Sequence, residues 1–254
     1  MVRFRMGTLR IVAIAVALAV VFGCGGGGTA TVRPPDPAVA FINASPDSPA
    51  LDALLNNFQL ANNVAYLGSS PRSGAVTTFA TIEPNDYDVN VFPDGDPASG
   101  SLTTAVMNRD TSILTVAVGL TDPVADFEKR LQVATFTFDR QRPNGDKARL
   151  IIVNGFIGSQ GFDSPNVDFR NPGDNALVNV ANLAFGGSGS ALIDSGSQSF
   201  VARLTGTDSD AGNVTPAATL DFVAGKIYAA IISGVEGEAG AMSPRITFLE
   251  IQPK

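Results

Sequence analysis

The chain has no histidine, no tryptophan and one cysteine among its 254 residues. Without histidine it cannot form a Ser-His-Asp triad, a Cys-His pair or a cysteine/histidine zinc site. A single cysteine cannot form a disulfide within the chain, so stability must come from apolar burial and sheet hydrogen bonds. Several common classes of enzyme and metal site are therefore excluded.

Basic residues are also scarce, with 17 lysines and arginines against 24 aspartates and glutamates, a formal net charge of −7. An acidic chain repels phosphate backbones, so we expect no nucleic-acid partner. The sequence has neither a Gly-x-Ser-x-Gly elbow nor a Ser-x-x-Lys dyad. We therefore assign no catalytic, cofactor-binding or metal-ligating residue and expect a protein that is not an enzyme.

Residues 1–23 have the pattern of a signal peptide. Three arginines, Arg3, Arg5 and Arg10, precede an apolar run that extends from Ile11 to Phe22. As a helix of about 12 residues this run spans roughly 18 Å, short of the ~30 Å hydrocarbon core of a bilayer. A basic start followed by a short apolar run predicts a cleaved export signal. A buried core helix or a retained membrane anchor is the alternative.

The apolar run ends in a motif that resembles the bacterial lipobox. Gly23 occupies the position before cleavage and Cys24 the position that becomes lipidated, with a flexible glycine spacer at 25–28. We predict that residues 24–37 are a lipidated cysteine and linker, and that the lipid attaches the protein to a membrane of the bacterial cell envelope. A glycine rather than an aspartate follows Cys24, which favours the outer membrane, on its periplasmic or surface face.

The rest of the chain shows an internal repeat. Five blocks recur in the same order, among them Asp47–Asp52, which matches Asp163–Asp168, and Tyr87–Val91, which matches Phe200–Leu204. We predict a first repeat at 38–140 and a second at 147–254. The short connector at 140–146 contains a Pro-Asn-Gly turn signal, so we expect the repeats to sit end to end.

The repeats carry strand signals separated by turns. Tyr87, Val89 and Val91 alternate with polar residues, the period of a half-buried strand. The runs Ile113–Val118 and Ile227–Ile232 are almost continuously apolar, as central strands with little solvent exposure are. Many short strands with Gly/Pro/Asp/Asn turns predict an all-β chain of two tandem immunoglobulin/fibronectin-like β-sandwich domains.

Three segments of the first repeat resemble a known bacterial family. They are Phe41–Asp52, with the sequence FINASPDSPALD, then Asn63–Gly68 and Tyr87–Val91. This pattern is similar to the family called domain of unknown function 4397 (DUF 4397); the second repeat departs from it at 155–162. The resemblance implies an exported or cell-surface β-sandwich, often in tandem. Because the family has no settled activity, it implies no catalytic residue.

The paired Asp-Ser-Pro motifs are the most distinctive polar feature. Asp47, Asp52, Asp163 and Asp168 could form acidic loops that bind Ca²⁺ or a partner, since calcium needs six to eight converging oxygens. Alternatively the aspartates cap backbone N–H groups at turns, while the proline fixes φ and a strand follows. Turn chemistry is the interpretation that the sequence favours.

Two further loops and three tyrosines complete the candidates. The loop 208–213 superficially resembles a calcium loop but has Thr219 where an EF-hand has its closing glutamate, and Asp94-Gly-Asp96 is similar. Both patterns are typical of solvated hairpin tips. Tyr66, Tyr87 and Tyr228 are the side chains that could stack on a sugar in a chain without tryptophan, although Tyr87 has the pattern of a core residue.

These observations favour a non-catalytic, lipid-anchored module for adhesion, scaffolding or ligand binding, with an envelope protein or glycan as its partner. One alternative is a carboxylate-dependent envelope hydrolase, which requires two carboxyl groups about 5 to 10 Å apart and a raised pKa on one of them. Another is a calcium-dependent binding protein built on the aspartate loops.

Overall fold

A computed structural model describes residues 33–93, 95–121, 130–158, 164–173 and 178–254. The predicted signal peptide, Gly23 and Cys24 lie outside these residues. Pro35–Lys254 forms one compact unit. Within the described residues no helix is long and apolar enough to span a membrane.

The described residues of the first half of the unit form eleven strands. They are β1 (Ala38–Asn43), β2 (Leu51–Leu55), β3 (Phe58–Val64), β4 (Ser69–Ser70), β5 (Arg72–Ser73), β6 (Val76–Thr77), β7 (Ala80–Thr81), β8 (Asn85–Pro93), β9 (Ser101–Met107), β10 (Ser112–Val118) and β11 (Gln132–Phe138).

Those of the second half form eight strands. They are β12 (Lys147–Ile157), β13 (Val167–Arg170), β14 (Val178–Leu183), β15 (Ser188–Asp194), β16 (Gly196–Leu204), β17 (Ala218–Phe222), β18 (Ile227–Val235) and β19 (Arg245–Ile251). Short 3-10 turns occupy Pro97–Ser99, Asp210–Gly212 and Gly240–Met242. The described residues thus confirm the predicted all-β class.

These strands form four sheets. Outer sheet 1 has the order β3-β2-β8-β9, and inner sheet 1 has the order β11-β10-β1-β4 with β7 also on β1. Inner sheet 2 has the order β15-β12-β18-β19-β6-β5, and outer sheet 2 has the order β14-β13-β16-β17. Each inner sheet contains a long parallel pair, β1 with β10 and β12 with β18, which an all-antiparallel immunoglobulin sandwich does not have.

The two halves repeat the same pairings. Seven strands of the first half have neighbours equivalent to those of seven strands in the second half. In chain order, the first set is β1, β2, β3, β8, β9, β10 and β11, and the second set is β12, β13, β14, β16, β17, β18 and β19. The predicted repeat limits, 38–140 and 147–254, stay a prediction. Gly145, in the connector between the halves, has a φ of 69°, which fits the turn predicted there.

Three hydrophobic cores separate the four sheets. Phe41, Leu51 and Val89 belong to a first core between outer and inner sheet 1, and Phe169 and Phe200 belong to a second core between the two sheets of the second half. A third, central core lies between the two inner sheets. Its buried members include Ile42, Val116, Val118, Ile151, Ile231 and Ile251.

The central core corrects the expected end-to-end arrangement, since the halves pack face to face. In β1, Phe41 points into the first core while its neighbour Ile42 points into the central core. Every residue of β10 and of β18 is buried. A sheet that is covered on both faces needs apolar residues at successive positions, which is why these strands are continuous apolar runs.

A segment of the first half, residues 71–79, also ties the halves together through the backbone. β4 and β7 flank this segment and pair with β1 of inner sheet 1. Between them β6 pairs in parallel with β19 of inner sheet 2 at Thr77 and Ile251, and the Gln252 N–H donates to the Thr77 carbonyl oxygen at 2.9 Å. Strand β6, which belongs to the first half of the chain, therefore lies in inner sheet 2 and not in inner sheet 1.

Candidate functional site

The first Asp-Ser-Pro motif anchors a loop to the end of β10. Both carboxylate oxygens of Asp47 accept the main-chain N–H of Thr121, at 2.9 and 3.1 Å, and the Ser45 hydroxyl donates to Oδ1 at 3.3 Å. The motif thus connects the chain after β1 with the chain after β10. Asp163, the equivalent residue of the second motif, lies outside the described residues.

Asp52 and Asp168 have matching roles in the two halves. The main-chain N–H of Asn63 donates to Asp52 Oδ1 at 2.7 Å, and that of Asn182 donates to Asp168 Oδ1 at 2.8 Å. Both asparagines have a positive φ, 53° and 55°, which asparagine tolerates better than most residues. Each aspartate therefore fixes a kink in the neighbouring strand, and both carboxylates are buried.

Asp168 has two further donors. Its Oδ1 accepts the Thr205 hydroxyl at 2.9 Å, and its Oδ2 accepts Nη2 of Arg170 at 2.8 Å. Burial on its own raises the pKa of Asp168. The donors Asn182, Thr205 and Arg170 outweigh that effect, so the pKa lies below its ordinary value. The shift is opposite to the raised pKa that the general acid of a hydrolase needs.

Two asparagines that the sequence interpretation missed have the same matched geometry. Asn43 ends β1, where its Nδ2 donates to the Val64 carbonyl at 2.9 Å and its Oδ1 accepts the Ser45 N–H at 3.0 Å. Asn154, within β12, donates to the Leu183 carbonyl at 2.9 Å and accepts the Phe156 N–H at 3.0 Å. Each asparagine is fully buried, and its side-chain amide donates to one backbone carbonyl and accepts one backbone N–H. The sequence signal was available, because each stands at the end of an apolar run.

The loop at 208–213 is built around a buried arginine. Asp210 pairs with the guanidinium of Arg203, whose side chain is fully buried. Arg203 Nε also donates to Asn213 Oδ1 at 2.8 Å, and Nη2 donates to the Gly173 carbonyl at 3.1 Å. The side-chain oxygens of Asp210 and Asn213 therefore serve Arg203, the protein's own cation.

The similar loop around Asp96 is a turn. Asp96 Oδ1 accepts the Ala98 N–H at 3.2 Å and caps the 3-10 turn Pro97–Ser99, while Asp94 lies outside the described residues. Among the described residues, no three acidic, cysteine or histidine side chains come together where they could hold a metal ion.

The three tyrosines do not form a stacking platform. Tyr228 is buried in the second core, where it makes an edge contact with Phe222. Tyr87 packs against the first core and donates to the Glu83 carbonyl at 2.9 Å. Tyr66 shares a 2.8 Å hydrogen bond with Ser233 of the other half. Burial raises the pKa of Tyr66, although the Ser233 hydrogen bond and the charge of Arg245 both lower it.

The first half has a concave groove of about 690 Å³. It lies between residues 98–102, at the start of β9, and the described residues on either side of the β10–β11 connection. Leu102, which is 65% exposed, and Arg130 contribute to its wall, and none of the described residues that line it is acidic. The described residues of the groove offer hydroxyl, apolar and cationic contacts of the kind that ligand and partner sites use.

The chain has remote similarities to several solved structures. The Bacillus anthracis TIE protein matches at 10% identity with a TM-score of 0.23, over 78% of this chain and 34% of that chain, so this chain spans about a third of its length. CBMbc (family CBM26) from Eubacterium rectale Amy13K, solved in complex with maltoheptaose, matches at 9% identity and a TM-score of 0.25, over 86% and 97%. A DUF3823 family protein from Bacteroides ovatus matches at 10% and 0.20, over 74% and 97%. These overlaps are too small to transfer a function.

Sequence comparison gives a sharper result. No curated protein matches the chain at a significant level. One family model does match, that of the Domain of unknown function DUF4397, over residues 37–170. The match covers the first half, with its Asp47, Asp52 and Asn63, and runs into the second as far as the buried pair of Asp168 and Arg170. Because it spans more than half of the chain, this protein belongs to the DUF4397 family.

Proposed function

We propose that the chain is a lipid-anchored, non-catalytic module of the bacterial cell envelope that binds an envelope protein or glycan. The observation that carries this proposal is the use of the repeated acidic side chains. Asp47, Asp52 and Asp168 each accept hydrogen bonds from donors of their own chain. A catalytic carboxylate must instead face a cleft that a substrate can enter. The most distinctive polar residues therefore serve the scaffold.

The surface of the first half supports binding. The 690 Å³ groove combines the apolar side chain of Leu102 with the guanidinium of Arg130 and several hydroxyl groups. Exposed apolar side chains beside polar ones in a concave surface are typical of ligand and partner sites. We assign this groove as the contact surface for the envelope partner.

The anchor places the module outside the cytoplasm. Cleavage after Gly23 removes three arginines and no acid, which leaves a net charge of −10 on the chain that begins at Cys24. An acidic body is repelled by an anionic membrane surface and projects from it on the glycine spacer. The glycine after Cys24 favours attachment to the outer membrane, on its periplasmic or surface face.

Cell fractionation tests the anchor. We expect the wild-type protein in the membrane fraction, extractable only with detergent, and a Cys24→Ser variant that is neither cleaved nor lipidated by the lipoprotein pathway. Metabolic labelling with a fatty-acid analogue should mark the wild type and not the variant. Unprocessed wild-type protein in the cytosol would refute the proposed location.

A pair of surface variants tests the binding face. We expect Leu102→Glu, in the groove, to reduce the capture of an envelope protein or glycan at least about tenfold, because a charge replaces an apolar contact. Leu192→Glu is the matched control, since Leu192 is 58% exposed and lies on β15 of the other half. Equal capture by both variants would exclude the groove.

A further inference from the structure

The chain contains two Asn-Gly pairs, Asn144-Gly145 and Asn154-Gly155, and both lie within the described residues. An asparagine side-chain amide can be attacked by the main-chain nitrogen of the next residue. Glycine favours this reaction because it has no Cβ to obstruct the approach. The reaction also requires that the two residues are free to move and that water reaches them, and the two pairs differ in both respects.

The first pair lies in the turn that connects β11 to β12. Asn144 and Gly145 are both exposed, and Gly145 has a φ of 69°. Among the described residues, neither the Asn144 side chain nor the Gly145 N–H has a hydrogen-bond partner. Beyond the pair the chain is held again, since the Asp146 carbonyl accepts the Ser195 N–H at 2.8 Å. The amide carbon of Asn144 and the nitrogen of Gly145 are therefore free to meet in contact with water.

The second pair lies inside β12. Asn154 is fully buried, its Nδ2 donates to the Leu183 carbonyl at 2.9 Å, and its Oδ1 accepts the Phe156 N–H at 3.0 Å. Gly155 lies opposite Ser233 in the parallel ladder with β18. A residue in a core strand reacts only when that strand opens, which costs close to the full free energy of unfolding. The fold therefore protects the second pair.

We propose that Asn144 is a site of spontaneous deamidation, at which the connector acquires aspartate and isoaspartate while Asn154 keeps its amide. The Gly145 main-chain nitrogen bonds to Cγ of Asn144 and the Cγ–Nδ2 bond breaks. The amide nitrogen leaves as ammonia with the proton that the Gly145 nitrogen gives up, and a cyclic imide remains. Water then opens the imide, to aspartate when the bond at Cγ breaks and to isoaspartate when the bond at the main-chain carbonyl carbon breaks.

The products alter the connector between the two halves. Both place a new negative charge at position 144, close in sequence to Asp146. In isoaspartate the main chain also runs through Cβ and Cγ, which lengthens the connector by one carbon atom. The protein thus acquires with time a charge that its sequence does not encode, and this charge lies on an exposed surface.

Timed incubation of the folded protein, followed by trypsin digestion and mass spectrometry, tests the proposal. Trypsin cleaves after lysine and arginine except before proline, so the two pairs fall in separate fragments, 141–147 and 150–170. We expect fragment 141–147 to gain the mass by which a hydroxyl group exceeds an amino group, in two forms that chromatography separates. Asn154 should convert at least about a hundredfold more slowly, since a core strand is open only about a thousandth of the time or less. A sample digested without incubation corrects for conversion during the digest.

Two controls separate the fold from the chemistry. In urea, where β12 is unfolded, Asn154 should convert at a rate of the same order as Asn144. Asn144→Gln is the control for the reaction, because its longer side chain has to close a larger ring, and its fragment 141–147 should keep its mass. Position 144 is exposed, so this variant should fold, and an unchanged melting curve checks that it does.

Two results would overturn the proposal. One is a folded protein in which Asn144 keeps its amide throughout the time that the urea-unfolded chain needs to convert there. The other is equal conversion of Asn144 and Asn154 in the folded protein, since the exposure of the connector would then not decide the site.

Discussion

Arg170 and Asp168 form an ion pair inside the second half of the chain, with 2.8 Å between Nη2 and Oδ2. The two side chains are 8% and 6% exposed. Asp168 simultaneously holds the N–H of Asn182 and the hydroxyl of Thr205. Because both side chains are almost completely buried, the loss of one partner leaves the other without a replacement from water. The hydrogen bonds of Asp168 also connect β13 with β14 and with the chain after β16.

We expect Asp168→Asn to lower the free energy of unfolding by about 3–5 kcal/mol, because it leaves the Arg170 guanidinium buried and unpaired. Asp52→Asn is the matched control. It keeps an oxygen for the Asn63 N–H and removes a charge that no described cation pairs with, so we expect a loss under about 1 kcal/mol. Urea unfolding of both variants measures the difference. Equal losses would mean that the ion pair adds nothing to the cap.

Stability should also fall in acid through the same carboxyl group. The pKa of Asp168 is lower in the folded chain than in the unfolded chain, where it is about 3.9. The unfolded state therefore takes up the proton first. The contribution of Asp168 is complete above about pH 5 and is lost as the pH falls through the folded pKa.

We expect the free energy of unfolding of the wild type to decrease more steeply between about pH 5 and pH 2 than that of Asp168→Asn. Urea titrations at several pH values within that window give the two slopes. Parallel curves would assign the acid sensitivity to other carboxyl groups.

The strands themselves followed from the sequence. Alternation at Tyr87, Val89 and Val91 predicted a half-buried strand, and these residues lie in β8. The apolar runs Ile113–Val118 and Ile227–Ile232 predicted central strands, and they lie in β10 and β18 with every residue buried. The hydrophobic period of a strand indicates how many of its faces are buried, and for these three strands that prediction was correct.

The order of the sheet layers could not be predicted from the sequence, because hydrophobic periodicity shows that a strand face is buried but not which sheet covers it. Runs buried on both sides require a second covering sheet, and that sheet comes from the other half of the chain. Val116 and Ile231 both belong to the central core although they are distant in sequence. The short connector suggested an end-to-end contact, but burial of two apolar sheet faces dominates the energy.

The polar sites divide in the same way. The aspartates of the repeated motifs were visible as turn-capping candidates because capping is a local property of Asp-Ser-Pro segments. Arg203 was not visible, since an arginine in a strand pattern normally marks an exposed position. Its burial depends on Asp210 and Asn213, which a loop brings back over the strand.

The hydrogen bond between Tyr66 and Ser233 should couple the two halves. We expect Tyr66→Phe and Ser233→Ala each to cost about 1 kcal/mol, and the double variant to cost less than the sum, because both remove the same 2.8 Å bond. A double-mutant cycle by urea unfolding measures the coupling. Tyr87→Phe paired with Ser233→Ala is the control, since Tyr87 donates to Glu83 within the first half and should be additive with Ser233.

The central core predicts that the two halves unfold as one cooperative unit. Ile231→Ala removes a fully buried side chain from this core and should cost about 2–5 kcal/mol. Because the cavity faces both inner sheets, the loss should lower the melting temperature of both halves equally. Independent end-to-end domains would instead unfold in two steps, and the variant would shift only the second.

Tyrosine fluorescence can follow each half separately. Tyr87 lies in the first half and Tyr228 in the second, so variants that keep one of them on a Tyr66→Phe background report one half each. We expect coincident transitions from both probes, before and after Ile231→Ala. Ile152→Ala, in the second core, should likewise move both probes, because the central core transmits the destabilisation through β12. Separate transitions for Tyr87 and Tyr228 would show that the central core does not couple the halves.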